Sequence, residues 1–188
     1  MTKLLQRNDI LDLAAYEAER PALRHRAMGE KNRRRVHVGD HLTFLFENVE
    51  TIRYQVQEML RIERRSAEED VQHEVDTYNE LLGGPGELGC TLLIEIDDPA
   101  RRDVLLREWL SLPASLYAEL PDGRRVRPTY DERQVGDERL SSVQYMKFPC
   151  EGEVPIAIGA DHPALEARAE LTPVQRKALE ADLQDAGA

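Results

Sequence analysis

The apolar residues of this sequence change their repeat at Gly83-Gly84-Pro85-Gly86. Before that run they recur at intervals of three and four, the spacing that places side chains on one face of a helix. After it they alternate, as in a strand with two unlike faces. Helices first and antiparallel strands later predict an α+β fold rather than a doubly wound sheet. The 188 residues suit one domain over 1–188, and no repeat, low-complexity stretch or linker divides them.

In detail, a short amphipathic helix is predicted over Asn8 to Glu19, ended or kinked by Pro21. Val36 and Val38 before Gly39-Asp40 suggest a short extended piece. A long helix is predicted from Thr43 to Arg65, with Leu45, Val49, Ile52, Val56, Met59 and Leu60 as its apolar stripe. Ser66-Ala67-Glu68-Glu69 reads as a capping box for the next helix, whose stripe is Val71, Val75, Tyr78 and Leu82. The two helices should form a hairpin on a mostly antiparallel sheet. Strands are expected at Leu92 to Ile96, Leu116 to Leu120, Ser142 to Phe148, Val154 to Ile158 and Leu165 to Leu171. Pro121-Asp122-Gly123 is a turn into a returning segment, Arg124 to Tyr130, and Asp131 to Arg139 is a polar loop. Asp98-Pro99 opens a helix with Val104, Leu105, Trp109 and Leu112 inward. Thr172-Pro173 opens a last one with Ala178, Leu179 and Leu183 inward.

The formal net charge of −11 opposes general binding of nucleic acid, because a polyanion is repelled by most of such a surface. No apolar run is long enough to span a bilayer, and Met1 to Ile10 is polar, so no signal peptide is expected. Cys90 and Cys150 stand alone, as buried free thiols do in a reducing, cytoplasmic compartment. No cofactor is expected. His37 and His41 flank Gly39-Asp40, which disfavours a shared helix, and on an extended chain they lie too far apart for one ion. Asp70 and His73 have helical spacing, yet no Glu-x-x-His occurs, so no metal site is assigned. The glycine-rich run follows a helix and precedes a strand, the reverse of a phosphate cradle.

The charge is uneven. Arg20, Arg24, Arg26, Lys31, Arg33, Arg34 and Arg35 cluster against a single Glu30. On the predicted long helix, Glu47, Thr51 and Glu58 share one side, with Gln55 near and Arg61 beyond. Arg33, Arg34, Arg35, Glu47, Gln55, Glu58 and Arg61 are therefore the candidate ligand- or partner-binding residues. A Glu–Arg arrangement there suits a small anion or a general base. The plainer expectation is a salt-bridge network pinning the basic arm to the helix.

The run Lys31-Asn32-Arg33-Arg34-Arg35-Val36, then Gly39, Phe46-Glu47-Asn48, Thr51, Gln55, Gln57-Glu58-Met59 and Arg61, resembles the bacterial family catalogued as domain of unknown function 3501. Tyr78-Asn79-Glu80-Leu81, Thr91 to Glu95, and Ser142-Val143-Gln144-Tyr145 with Phe148 extend the resemblance over nearly the whole chain. The resemblance implies an accessory protein, without catalysis of its own, beside a rubrerythrin-like or iron–sulfur redox system that meets peroxide stress. The alternative is a small-ligand- or metal-binding protein, or an enzyme, with an Arg/Glu/Gln site on the long helix. Exposed sheet edges further suggest a homo-oligomer.

Overall fold

The computed structural model describes residues 4–187, with side chains to 185. Met1 to Lys3, part of the polar N-terminal stretch read above for a leader, lie outside it. The fold is α+β, with helices α1 (Leu13–Asn32), α2 (Val49–Glu63), α3 (Glu68–Asn79), α4 (Pro99–Glu108), α5 (Leu112–Ser115) and α6 (Pro173–Gly187). Two four-stranded antiparallel sheets replace the single sheet expected. The first holds β1 (Arg35–Val38), β2 (Leu42–Phe46), β3 (Leu88–Ile94) and β6 (Val143–Phe148), in the order β1-β2-β3-β6. The second holds β4 (Leu116–Glu119), β5 (Arg125–Val126), β7 (Ala157–His162) and β8 (Leu165–Glu170), in the order β5-β4-β7-β8. Among the described residues no helix is long and apolar enough to cross a membrane.

The inner faces of both sheets feed one apolar core. Val36, Phe44, Phe46, Leu92 and Phe148 from the first sheet join Leu116, Ala118, Ile158 and Ala160 from the second, with Leu179 and Leu183 of α6. The outer face of the first sheet is covered instead by helices. Ile52, Val56 and Leu60 of α2 pack on Val71 and Val75 of α3 and on Leu5 and Ile10. Both faces of β2 are consequently buried along its whole length.

Three boundaries differ from the sequence reading, each for a local reason. Thr43 to Phe46 is strand, not helix; its aromatic and β-branched residues fill two buried faces, and the helix begins only after Asn48. Asn48 Oδ1 accepts from Thr51 N at 2.9 Å while Thr51 Oγ1 accepts from Asn48 N at 3.0 Å. Helix α1 runs through Pro21 to Asn32. Pro21 and Glu17, the residue whose carbonyl loses its partner, are both exposed, so water replaces the missing bond. The Ser66 box does not form: Ala67 is the cap residue, without a side-chain bond, and Glu68, Glu69 and Asp70 complement the helix dipole. Smaller shifts follow. Val104 is exposed and Leu106 takes its place inside, and the strand expected at Val154 begins at Ala157.

Amide side chains pin the irregular segments by pairing both ways with one residue's backbone. Gln57 does so with Leu11 (2.7 and 3.3 Å), and Asn79 with Leu5 (2.9 and 2.9 Å). Gln134 does so with Tyr145 of β6, at 2.7 Å in both directions. The β6 edge is therefore partly closed by the chain itself.

Arg34 joins the N-terminal half to α6. Its side chain, 5% exposed, forks onto Asp182 at 2.8 and 2.9 Å and reaches Glu30 at 2.5 Å. Removing the cation leaves the partly buried Asp182 carboxylate without its fork. Arg34→Ala is expected to cost about 3–5 kcal/mol in urea unfolding, and Arg34→Lys to recover only part, since an ammonium cannot fork.

Candidate functional site

The structure separates the seven predicted residues into three places. Arg33 pairs with Glu30 on the surface, and Arg35 donates to Asn32 Oδ1 at 3.0 Å. Together with Arg34 they brace the junction of α1, β1 and α6; none forms an ion pair with Glu47. Glu58 and Arg61 turn to α1 instead. Glu58 accepts from Tyr16 Oη at 2.7 Å and from both arms of Arg20 at 2.7 and 2.9 Å, and Arg61 pairs with Glu17 at 2.7 Å. Only Glu47 and Gln55 come together, and they meet in a cavity of about 250 Å³.

That cavity lies between the outer face of the first sheet and the helices α2 and α3. Strand register builds its floor: Leu45 stands opposite Thr91, and Thr91 opposite Tyr145. Side chains alternate across a strand, so these three share one face, with Leu93 beside them. Ile52 and Gln55 of α2, Tyr78 of α3 and Leu81 just beyond its end form the roof, and Lys31 enters from the last turn of α1. Leu81 and Tyr145 also line a neighbouring groove of about 600 Å³ with Tyr130, Gln134 and Lys147, so they form the wall between the two.

Glu47 is not on the helix but at the joint between β2 and α2. Its two oxygens are held separately. Thr51 Oγ1 donates to Oε2 at 2.5 Å and Thr91 Oγ1 donates to Oε1 at 2.8 Å. Both threonines are buried, so the carboxylate is fixed in place while each oxygen keeps room for a further donor. Lys31 is the cation nearest in role. Burial pushes its amine below the ordinary lysine value; Glu47 pulls the other way, and Arg35 and Arg24 reinforce burial. Its Nζ lies 5.6 Å from the Tyr54 ring centre. Among the described residues Lys31 forms no ion pair within 4 Å. Burial also raises the Tyr78 hydroxyl, and Gln55 opposes that shift.

Ser111 and His162 are 3.1 Å apart, but His162 Nδ1 accepts from Ala164 N–H at 3.2 Å. The neutral ring then carries its proton on Nε2 and donates it to the serine, the reverse of what a nucleophile needs. Among the described residues no three His, Cys, Asp or Glu side chains come together so as to hold a metal ion. Cys90 and Cys150 are buried free thiols.

A family model described as "Protein of unknown function (DUF3501)" matches residues 4–183. The chain belongs to the DUF3501 family. It is similar to a protein of unknown function from Burkholderia pseudomallei whose crystal structure was determined at 1.90 Å. The two are 32% identical, the match covers 96% of this chain and 100% of that one, and the TM-score is 0.88. No match to the chain is found among curated proteins.

The segments that carry the DUF3501 resemblance lie apart in the sequence, yet they supply Lys31, Glu47, Thr51, Gln55, Tyr78, Thr91 and Tyr145 to one cavity. Of the residues lining it, the sequence reading named Glu47 and Gln55 as candidates but not Lys31, Tyr78, Thr91 or Tyr145. One signal was available: the chain has only four lysines, Lys3, Lys31, Lys147 and Lys177, and Lys31 stands within an arginine cluster.

Glu58 provides a test of the α1–α2 brace. The Arg20 guanidinium, helped by the Tyr16 hydroxyl, holds its carboxyl down to about 2 against the opposing effect of burial. A carboxyl depressed in the folded state is protonated first in the unfolded chain. Its stabilising effect is therefore complete above the ordinary value of 4.5 and lost as pH falls toward about 2. Urea midpoints across that window should fall more steeply for the wild type than for Glu58→Gln; parallel curves would show that the brace carries no stability.

Proposed function

We propose that this protein binds a small polar metabolite in the cavity beneath α2 and α3. One observation carries the reading: an amine and an anchored carboxylate share an apolar-walled cavity without pairing to each other. Burying a charge without a partner is costly, and a ligand that offers an acceptor oxygen to Lys31 and a donor to Glu47 removes that cost. Gln55 and Tyr78 add hydrogen-bonding groups, while Ile52, Leu81, Leu93 and Leu45 supply apolar walls. The volume lies just below the range of about 300–1,000 Å³ typical of drug-sized ligands, so a short-chain metabolite suits it better than a nucleotide. The expected Arg/Glu/Gln site thus becomes a Lys/Glu/Gln site.

The accessory role beside a rubrerythrin-like or iron–sulfur partner rests on the family resemblance. The surface suited to it is the groove beside Tyr130, Tyr145 and Lys147, where Tyr145 and Val143 remain exposed. Aromatic side chains of this kind are enriched at interfaces. A pull-down at low salt with wild type and Tyr145→Ala tests this reading; equal recovery by both removes that surface from it. Light scattering of the same preparations tests self-association.

The binding reading is tested by thermal unfolding against a panel of short-chain hydroxy, keto and amino acids, aldehydes and alcohols. A ligand at about a hundredfold over its Kd adds about 2.7 kcal/mol, which raises the Tm of a chain this size by several degrees. The shift should vanish in Glu47→Gln and weaken in Tyr78→Phe. A panel that shifts neither wild type nor variants would remove the reading.

A further inference from the structure

We propose that Lys31 forms an imine with a small neutral aldehyde or ketone held in this cavity. The inference deepens the binding reading and rests on it.

The first support is the way the chain distributes its cations. Every ion pair among the described residues uses an arginine. An arginine cannot lose its proton in a protein; a lysine can, and the neutral amine is a nucleophile. The single lysine among the arginines of this segment is the one that lines the cavity.

The second support is the neighbourhood. Lys31 has no ion pair to hold its proton, its position at the cavity wall is partly buried, and apolar side chains surround the space. Burial favours the neutral amine, Glu47 opposes that, and Arg35 and Arg24 add to the effect of burial. Glu47 faces the same cavity, fixed by two threonine hydroxyls, and is placed to move protons rather than to neutralise a permanent charge.

The step balances without any oxidant, reductant or metal. The Lys31 nitrogen adds to the carbonyl carbon, forming a C–N bond as the carbonyl electron pair moves to oxygen. The nitrogen gives up its two protons in turn through the Glu47 carboxylate. The first goes to the alkoxide and makes a carbinolamine. The second goes to the departing hydroxyl, which leaves as water while the nitrogen lone pair closes the C=N bond. One carbonyl compound and one amine give one imine and one water.

The test uses the full chain with propanal and sodium cyanoborohydride, which reduces an imine to a stable secondary amine, followed by intact mass and peptide mapping. One propyl group on Lys31 is expected, with much less on the exposed Lys177 or on Lys147 of the neighbouring groove. Unfolding in urea should abolish the preference. Lys31→Arg and, as a second variant, Lys31→Met should remain folded by circular dichroism and give no selective adduct. Glu47→Gln should slow labelling of Lys31 about a hundredfold, in the range of a lost proton-transfer group. Even labelling of Lys31, Lys147 and Lys177 in the folded protein would overturn the proposal, as would a preference for Lys31 that persists in urea. If members of the panel shift the Tm of the wild type while propanal leaves Lys31 unmodified, the imine falls and the binding reading stands. If neither signal appears, both fall.

Discussion

The register of β2, β3 and β6 decides which side chains reach the cavity. It sets Leu45, Thr91 and Tyr145 in one row on the outer face of the first sheet and sends Phe44, Leu92 and Phe148 to the core. A slip of one residue would exchange the two sets, placing Thr91 and Tyr145 among apolar side chains and exposing the core residues to the helices. Burial on both faces makes such a slip costly, because β2 has no solvent-facing side on which an error is tolerated. The polar floor of the cavity is therefore fixed by the same packing that stabilises the domain. Thr91 in turn fixes Glu47, so the position of the carboxylate follows from strand pairing rather than from its own flexible side chain.

Much of the fold could be read from the order of periodicities. The final helix at Thr172-Pro173, the Asp98-capped helix and the strand ending at Phe148 all lie where local capping and alternation place them. The boundaries that moved did so where tertiary packing overrides a local pattern. Leu45 falls four residues before Val49 and so extends the α2 stripe on paper, but it belongs to a strand whose two faces are both covered. Nothing in one sequence reports that both faces will be covered, so a run of alternating large residues beside a helical stripe is ambiguous. At Pro21 a single hydrogen bond is lost from α1. The polar anchors to α2, from Arg20 to Glu58 and from Arg24 to Tyr54, favour the unbroken helix.

The candidate site was less legible because it is assembled from α1, β2, α2, α3, β3 and β6. Glu47 and Gln55 are close in sequence to the helix that carries the apolar stripe, so they were visible. Tyr78, Thr91 and Tyr145 come from elements whose relative placement depends on the sheet order. The arginines of the basic cluster are engaged in bracing for a physical reason. Arginines are favoured wherever a carboxylate must be held by a planar fork, and Arg34 with Asp182 and Arg20 with Glu58 do that. A dense run of arginines is thus better explained by bracing than by binding, and here it surrounds the one lysine of that segment.

The overall charge bears on what that lysine meets. With a formal net charge of −11 and Glu47 inside the cavity, a free anion approaches against the field of the protein and is attracted only at short range by Lys31. A neutral carbonyl compound meets no such barrier. The electrostatics that oppose an anionic ligand therefore leave a neutral carbonyl compound unopposed. The two threonine bonds that hold Glu47 matter here, because a carboxylate free to swing toward Lys31 would hold the amine protonated in an ion pair and leave it unreactive.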